Sequence, residues 1–526
     1  MDLPTSISQA LKAWPPSWTQ IVLFVLSVFV FRAVYFANFG PLSHYPGPWY
    51  ASASDMVYRS LTASGTILPW LQAQHSKYGP VVRVGPDRLS YINPQAWKDI
   101  YTPRGPKSNR KDPGMYTEMD ISGHPSILTE PSDAEHARVR HIFSHAFSPK
   151  ALKAQQPLLT KYVDQLIANI STSSSPIFDA VKLYNFTTFD IMADLTFGES
   201  LGMLQTSQYT TWVSNIFSTL RLLAVSTIWR ESPFLMKVYK ALEPDFIKKA
   251  SRDHQNHSIE RVKRRLQLPA ARPDGQVDIW TRVLSQPEGR GLTPEKMYSN
   301  AAIFMLAGTE TTATLLSGVT YYLLRNPEKL TRLKGEIRGA FAADAPGEFT
   351  MESLQKVRYL SAVLNEGLRL YPPVPSPLWR VTPEGGREIC GGYVPGGTRV
   401  AVTSYAASRS EENFWDAEDF VPERWLGEDE RYGMDKREVV QAFSVGARNC
   451  LGQSLAWHEM RLILAKIIWN FDMELMEGSE RWNEQKCFVL WSKGPLMVRM
   501  VPRIEKEKRR TLPCADAVRP NPKCQP

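Results

Sequence analysis

The stretch Thr293–Arg325 constrains this chain more than any other. Thr293, Pro294 and Glu295 provide an N-cap, a proline in the first turn and an acid beside the helix dipole. A mostly apolar run follows until Asn326–Pro327 stops it. At 1.5 Å per residue such a helix extends over about 48 Å. A helix that long and that apolar is expected to be buried, which takes a large body around it. The chain has 526 residues, 43% of them hydrophobic and 22% charged, an ordinary globular balance that can supply one. No linker divides its interior, so one body is expected rather than the roughly three domains that length alone suggests. Inside the run, Ala307–Thr312 reads AGTETT. A mid-helix glycine costs about 1 kcal/mol relative to alanine, so Gly308 marks a place where something comes close. Glu310 and Thr311 set an acid beside a hydroxyl. Their ordinary fate would be a salt bridge for the acid and a bond to the helix's own carbonyl for the hydroxyl.

Residues 18–39 form a second apolar run, long enough to cross a hydrocarbon core of about 30 Å. Arg32 lies near its end, within reach of the interface, and Trp14, Trp18, Tyr35 and Phe39 suit the interfacial belts. The run is longer than a usual signal core and no small-residue cleavage site follows, so an uncleaved anchor is expected. More basic residues follow the span (Arg59, Lys77, Arg83) than precede it (Lys12), which favours a cytosolic body. The expected organisation is an N-terminal segment 1–17, an anchor 18–39, a Pro/Gly-rich hinge 40–50, a body 51–503 and a flexible tail 504–526. Within the body, VVRVG (81–85) and RLSYI (88–92) read as a hairpin. A helix is expected from Ser132–Asp133, and most of 150–265 reads as helical. Residues 267–292 read as an exposed loop, and further helices are expected at 328–342 and 352–370. Short strands are expected at 398–403, 488–491 and 496–501. The net charge of +9 reads as a mildly basic surface, without the aromatic interleaving of a nucleic-acid module. Short basic clusters such as Lys506–Arg510 would suit an anionic membrane or an acidic partner. Five scattered cysteines make neither a disulfide framework nor a zinc site.

One of them, Cys450, stands in Phe443–Gly452, FSVGARNCLG, ahead of an apolar run read as a helix. That places it at a helix N-terminus, where N–H groups and the dipole favour a thiolate. Gly446 permits a tight turn, Gly452 leaves room for a flat group, and Arg448 sets a cation two residues away. Glu366 and Arg369 lie one helical turn apart in NEGLRLYPP, and Pro422–Trp425 reads PERW. His136 and Arg140 are likewise one turn apart. His141 and His145 share metal-like spacing but have no third ligand in the pattern, and read as ordinary helix residues.

Together these motifs resemble the cytochrome P450 superfamily, of the eukaryotic microsomal type, and DAEHARVRHIFSHAFSP resembles fungal secondary-metabolism monooxygenases. The resemblance covers about residues 80–500. It implies a mainly α fold with small β-sheets. It implies haem b (iron protoporphyrin IX) as cofactor, with Cys450 as the metal-binding axial thiolate, Phe443, Gly452 and Ala456 beside the porphyrin, and His136, Arg140, Arg380 and Arg448 toward the propionates. Glu310 and Thr311 become the candidate catalytic pair for oxygen activation and proton relay. Glu366, Arg369 and Arg424 become a structural network, with Gly367 and Trp425 departing from the commoner threonine and phenylalanine. The implied enzyme is a monooxygenase, hydroxylating or epoxidising a lipophilic molecule with electrons from NADPH-cytochrome P450 reductase, single-pass in the endoplasmic reticulum membrane. A pocket is implied along 101–130, 200–250, Pro373–Leu378 and Trp491–Lys493. A haem-thiolate isomerase or dehydratase, and a non-catalytic haem protein, are the competing readings.

Overall fold

The computed structural model describes residues 18–102, 105, 108–116, 124–210, 213, 237, 241, 245–272, 274–286, 291–341 and 349–503. The segments 1–17 and 504–526, and parts of the expected pocket in 101–130 and 200–250, lie outside them.

The central helix runs Pro294–Arg325, with the Thr293 side chain accepting from Lys296 N as its cap. It packs along the buried helix Ala180–Phe197 and against Arg358–Leu370 and Gln453–Asn470. Two glycines allow the close approaches. A β-carbon at Gly308 would stand 2.7 Å from Met192 Sδ, and one at Gly367 would stand 2.3 Å from Val319 Cγ2. Gly367 is thus the residue that lets Arg358–Leu370 lie against the central helix, which accounts for its departure from threonine.

Small sheets flank this helical mass. Five strands lie in the order Val81–Gly85, Arg88–Tyr91, Arg399–Val402, Arg380–Val381 and Arg110–Lys111. The first two form the expected antiparallel hairpin, and the second pairs in parallel with Arg399–Val402. Three strands, Ile177–Asp179, Met497–Pro502 and Phe471–Leu475, make another sheet.

Trp18–Asn38 is a single helix whose apolar side chains are exposed, long and apolar enough to cross a membrane. The central helix passes the same test of length and composition, but it is mostly buried and belongs to the core. The fully buried Arg83 donates to Phe36 O at 2.8 Å and Pro86 O at 2.9 Å. One cation therefore ties the C-terminal turn of the apolar helix to the first sheet.

Three expectations change. Residues 267–292 are not simply an exposed loop, because Ile279–Val283 is helical and Trp280 is fully buried. Asp278 caps that turn and pairs with Arg265 at 2.6 Å, both side chains enclosed. The expected helix 352–370 divides into Met351–Gln355 and Arg358–Leu370, the first ending in its own cap at Lys356. The strand expected at 488–491 is two short strands, Cys487–Phe488 and Leu490–Trp491, folded back at Val489 with φ of 75°.

Glu366, Arg369 and Arg424 meet with no solvent exposure. Glu366 receives Arg369 at 2.7 and 2.9 Å and Arg424 Nε at 3.1 Å. Trp425 Nε1 adds a bond at 2.8 Å that a phenylalanine could not make, and Val421 N adds another at 2.8 Å. Burial alone would raise the Glu366 carboxyl, but Arg369 and Arg424 hold it below its ordinary value. The remaining guanidinium donors go to Ser408 O, Ala417 O and Asp419 O, and to Asp435, Trp415 O and Asp416 O. The trio thereby pins the chain ahead of the Cys450 loop. Arg424→Met breaks a buried pair and is expected to cost about 3–5 kcal/mol in denaturant unfolding. Trp425→Phe, losing one hydrogen bond, is expected to cost about 1 kcal/mol. Equal midpoints for both variants would contradict this arrangement.

Candidate active site

The Phe443–Gly452 loop closes on itself. Cys450 N donates to Phe443 O at 2.8 Å and Asn449 N to Gly446 O at 3.1 Å. Gly446 has φ of 80°, and a β-carbon there would sit 2.4 Å from Tyr101 O, so the turn needs glycine twice over. The helix that follows is Gln453–Asn470 with Gly452 as N-cap. Cys450 thus lies just ahead of the helix, which starts two residues later than the apolar run from Leu451 suggested. Burial pushes its thiol above the ordinary value, against the opposing Gly452 N–H and Arg140 charge. The dipole argument for a free thiolate is therefore outweighed by desolvation, whereas a coordinating metal deprotonates a thiol outright. Cys450 nonetheless presents open surface although protein crowds around it, as a residue facing an internal space does. Phe443, Gly452 and Ala456 are half-buried beside it, and a β-carbon at Gly452 would meet only Phe147, at 3.9 Å. The side of Gly452 that a β-carbon would take is therefore open.

The central helix packs on Gln453–Asn470, and it too is open at one place. Ala307 is exposed and Thr311 half-buried, while 312–323 are buried. The two share a face at i,i+4 spacing, and Thr311 Oγ1 donates to Ala307 O at 2.6 Å. Glu310 points elsewhere. It is buried, and its Oε1 pairs with Lys493 Nζ at 2.5 Å. Lys493 Nζ also donates to Thr314 Oγ1 at 2.5 Å, and Glu310 Oε2 has no partner among the described residues. Thr311 and Glu310 are neighbours in the chain but serve different surroundings.

A cavity of about 530 Å³ lies between Tyr101, His136, Arg140, Arg380 and Arg448. Arg448 is held by Asp133 at 2.6 Å and by Glu130 O at 2.7 Å, and Arg140 by Asn449 O at 2.7 Å and Asn449 Oδ1 at 2.6 Å. Arg380 is buried beside the Tyr101 ring, and its Nε meets no acceptor among the described residues. Lys111 Nζ donates to Leu128 O. Burial, then Arg380 and Arg448, push Lys111 down to about 6. Burial, then Arg448, Lys111 and Arg140, push His136 down to about 3. Five basic side chains crowd together, and a donor goes unanswered. That donor set fits a ligand carrying carboxylates.

The structure thus gathers His136, Arg140, Arg380 and Arg448 around one cavity, and Phe443, Cys450, Gly452 and Ala456 in one loop and helix start. Glu366, Arg369 and Arg424 form their own enclosed cluster. His141 and His145 have ring centroids 5.1 Å apart in an edge contact. Sequence reasoning missed Lys111 and assigned no role to the Lys493 side chain. Neither stands in a spacing pattern with its partners, 183 residues separating Lys493 from Glu310.

Comparison with known proteins agrees with this geometry. The family model described as Cytochrome P450 matches residues 60–500. The chain is 48% identical over 462 residues to the cytochrome P450 monooxygenase FUM2 of Gibberella moniliformis, covering 87% of this chain and 97% of that one. It is 44% identical over 503 residues to the cytochrome P450 monooxygenase efuB of Hormonema carpetanum, covering 94% and 98%. It is 41% identical over 470 residues to an averantin hydroxylase of Dothistroma septosporum, covering 88% and 87%. This chain belongs to the cytochrome P450 family. It is a monooxygenase of that family, and family membership implies haem-thiolate binding, a redox partner and a lipophilic substrate.

Proposed function

We propose that the chain binds haem b between the open face of the central helix and the Cys450 loop, with the Cys450 sulfur as axial ligand. The observation that carries this is the pair of openings, one at Ala307 and Thr311 and one at Cys450, on two packed helical elements. Haem bound through a thiolate supplies the redox chemistry that activates dioxygen. Arg380, Arg448, His136 and Arg140, with Lys111, receive the propionates. Phe443, Gly452 and Ala456 border the ring. Thr311 Oγ1 offers a hydroxyl on the open face, and Glu310 delivers protons toward it. Glu366, Arg369 and Arg424 hold the fold and the haem loop.

The reaction is RH + O2 + NADPH + H+ → ROH + H2O + NADP+, or the matching epoxidation. The electrons come from NADPH-cytochrome P450 reductase. Residues 18–39 anchor the chain once in the endoplasmic reticulum membrane, 40–50 are a hinge, and 51–503 form the cytosolic catalytic body. Segments 1–17 and 504–526 flank these. The substrate is a lipophilic molecule of fungal secondary metabolism, since the residues of Pro373–Leu378 and Trp491 toward the expected pocket are mostly apolar.

With the reductase and labelled dioxygen, product is expected to carry one atom from O2 per turnover. Product formed without oxygen or NADPH would overturn the reading in favour of an isomerase or dehydratase. Thr311→Ala is expected to lower product per NADPH about tenfold or more, and an unchanged ratio would remove Thr311 from the relay. Lys111, held down to about 6 beside other cations, is mostly neutral at about pH 7. Carboxylates placed against it favour its charged form. Haem ligation would release the Cys450 thiol proton, so the expected signal is a difference: near that pH the unaltered chain takes up about one proton more on haem entry than Lys111→Met does. Equal proton counts for the two would contradict the propionate assignment.

A further inference from the structure

One oxygen of Glu310 is already committed to a partner outside the central helix. On a helix with 3.6 residues per turn, Glu310 and Thr314 lie about 40° apart on one face, and Thr311 is turned from them by about 100° and about 60°. On that face Lys493 fills the space, bonding Glu310 Oε1 and Thr314 Oγ1, both at 2.5 Å. Lys493 and Glu310 side chains are 4% and 3% exposed, so neither charge is relieved by solvent. A pair this enclosed is held by mutual attraction, and removing either member strands the other. Among the described residues, the charged or titratable groups that face Glu310 are Lys493, Tyr209 beyond Ala180–Phe197, and Tyr371 at the end of Arg358–Leu370. Burial holds both tyrosines above their ordinary value, Tyr209 at about 12, so Lys493 is the partner whose charge matters near neutrality.

Lys493 is not part of the central helix. It lies in the loop between Leu490–Trp491 and Met497–Pro502. That loop follows the small hairpin whose Val489 O accepts from Ser376 Oγ at 3.2 Å. Trp491 Nε1 donates to Pro372 O at 2.9 Å, and its ring stacks on Tyr371. One short segment thus touches the Pro372–Ser376 stretch at one end and the Glu310 carboxylate at the other.

We propose that Lys493 is a positioning residue for oxygen activation, which fixes the place of the Glu310 carboxylate and links it to the hairpin beside the expected substrate pocket. The proposal rests on the proton-relay reading of Glu310. Lys493 acts through Glu310, its ammonium being committed to Glu310 Oε1 and Thr314 Oγ1. It keeps Glu310 turned toward Thr314, and Oε2, the oxygen without a partner among the described residues, is the atom left to take up and pass a proton. A substrate that shifts the hairpin shifts the ammonium and, with it, the carboxylate.

The test uses the full-length holoenzyme with its reductase and four variants: Lys493→Met, Lys493→Arg, Glu310→Gln and Lys493→Met/Glu310→Gln. Product per NADPH, its solvent isotope effect and the thermal unfolding midpoint are measured for each. Glu310→Gln and Lys493→Met are expected to lower product per NADPH about tenfold, with a changed isotope effect. The double variant should be no worse than either, and Lys493→Arg should restore most of the loss. The midpoint should fall in Lys493→Met and recover in the double variant, reporting the pair independently of turnover. If Lys493→Met fails to fold, Lys493→Gln replaces it with a neutral donor. Loss in Glu310→Gln with none in Lys493→Met or Lys493→Gln overturns this proposal and leaves the relay reading standing. No loss in Glu310→Gln overturns the relay reading and this proposal with it. Additive losses in the double variant overturn the linkage.

Discussion

The burial of the central helix is the constraint on which the rest depends. A helix of 32 residues must be covered along nearly its whole length, yet this one stays open at Ala307 and Thr311. Glycines at 308 and 367 let Ala180–Phe197 and Arg358–Leu370 come against it, with Met192 and Val319 filling the space a β-carbon would take. Close packing on those sides fixes where the remaining side can be open. A shift of the helix by one residue would turn Thr311 into the core and bring Glu310 or Thr312 to the opening.

Charge is distributed by the same logic. Where it is fully paired, as in Glu366 with Arg369 and Arg424, it fixes the chain that precedes the Cys450 loop. Where cations outnumber their anionic partners, as in Lys111, His136, Arg140 and Arg380 beside the single Arg448–Asp133 pair, it suits an anionic ligand. The contrast separates a structural cluster from a binding one without reference to any motif. The Cys450 thiol belongs with the second kind, since burial raises it and a metal cation would reverse that.

Much of this was legible in the sequence, for reasons that differ from element to element. The central helix announced both its ends through Thr293–Pro294–Glu295 and Asn326–Pro327, and the structure keeps both. The hairpin at 81–91 was readable because alternation and a Gly-Pro-Asp turn act locally. The Glu366 network was readable because its two residues in one helix carry spacing, although the bond from Trp425 was not foreseen. Trp280 was missed because prolines and charges on either side of it outweighed three apolar residues in a short helix. The Lys493–Glu310 pair and the crowding of Lys111 against Arg380 and Arg448 were missed because these residues lie far apart in the chain and no local pattern joins them. The close fit of the loop ahead of Cys450 was not readable, because it depends on how Gly446 meets Tyr101 O, a tertiary contact.

The central claim is that Cys450 is the thiolate that holds the haem iron in this chain. The most direct measurement is the absorption spectrum of the reduced carbon monoxide complex of the full-length protein, beside that of Cys450→Ala. The account predicts the shifted band of a thiolate-ligated haem in the first and its loss in the second. That band persisting in Cys450→Ala, or absent from the unaltered protein with haem bound, would contradict it.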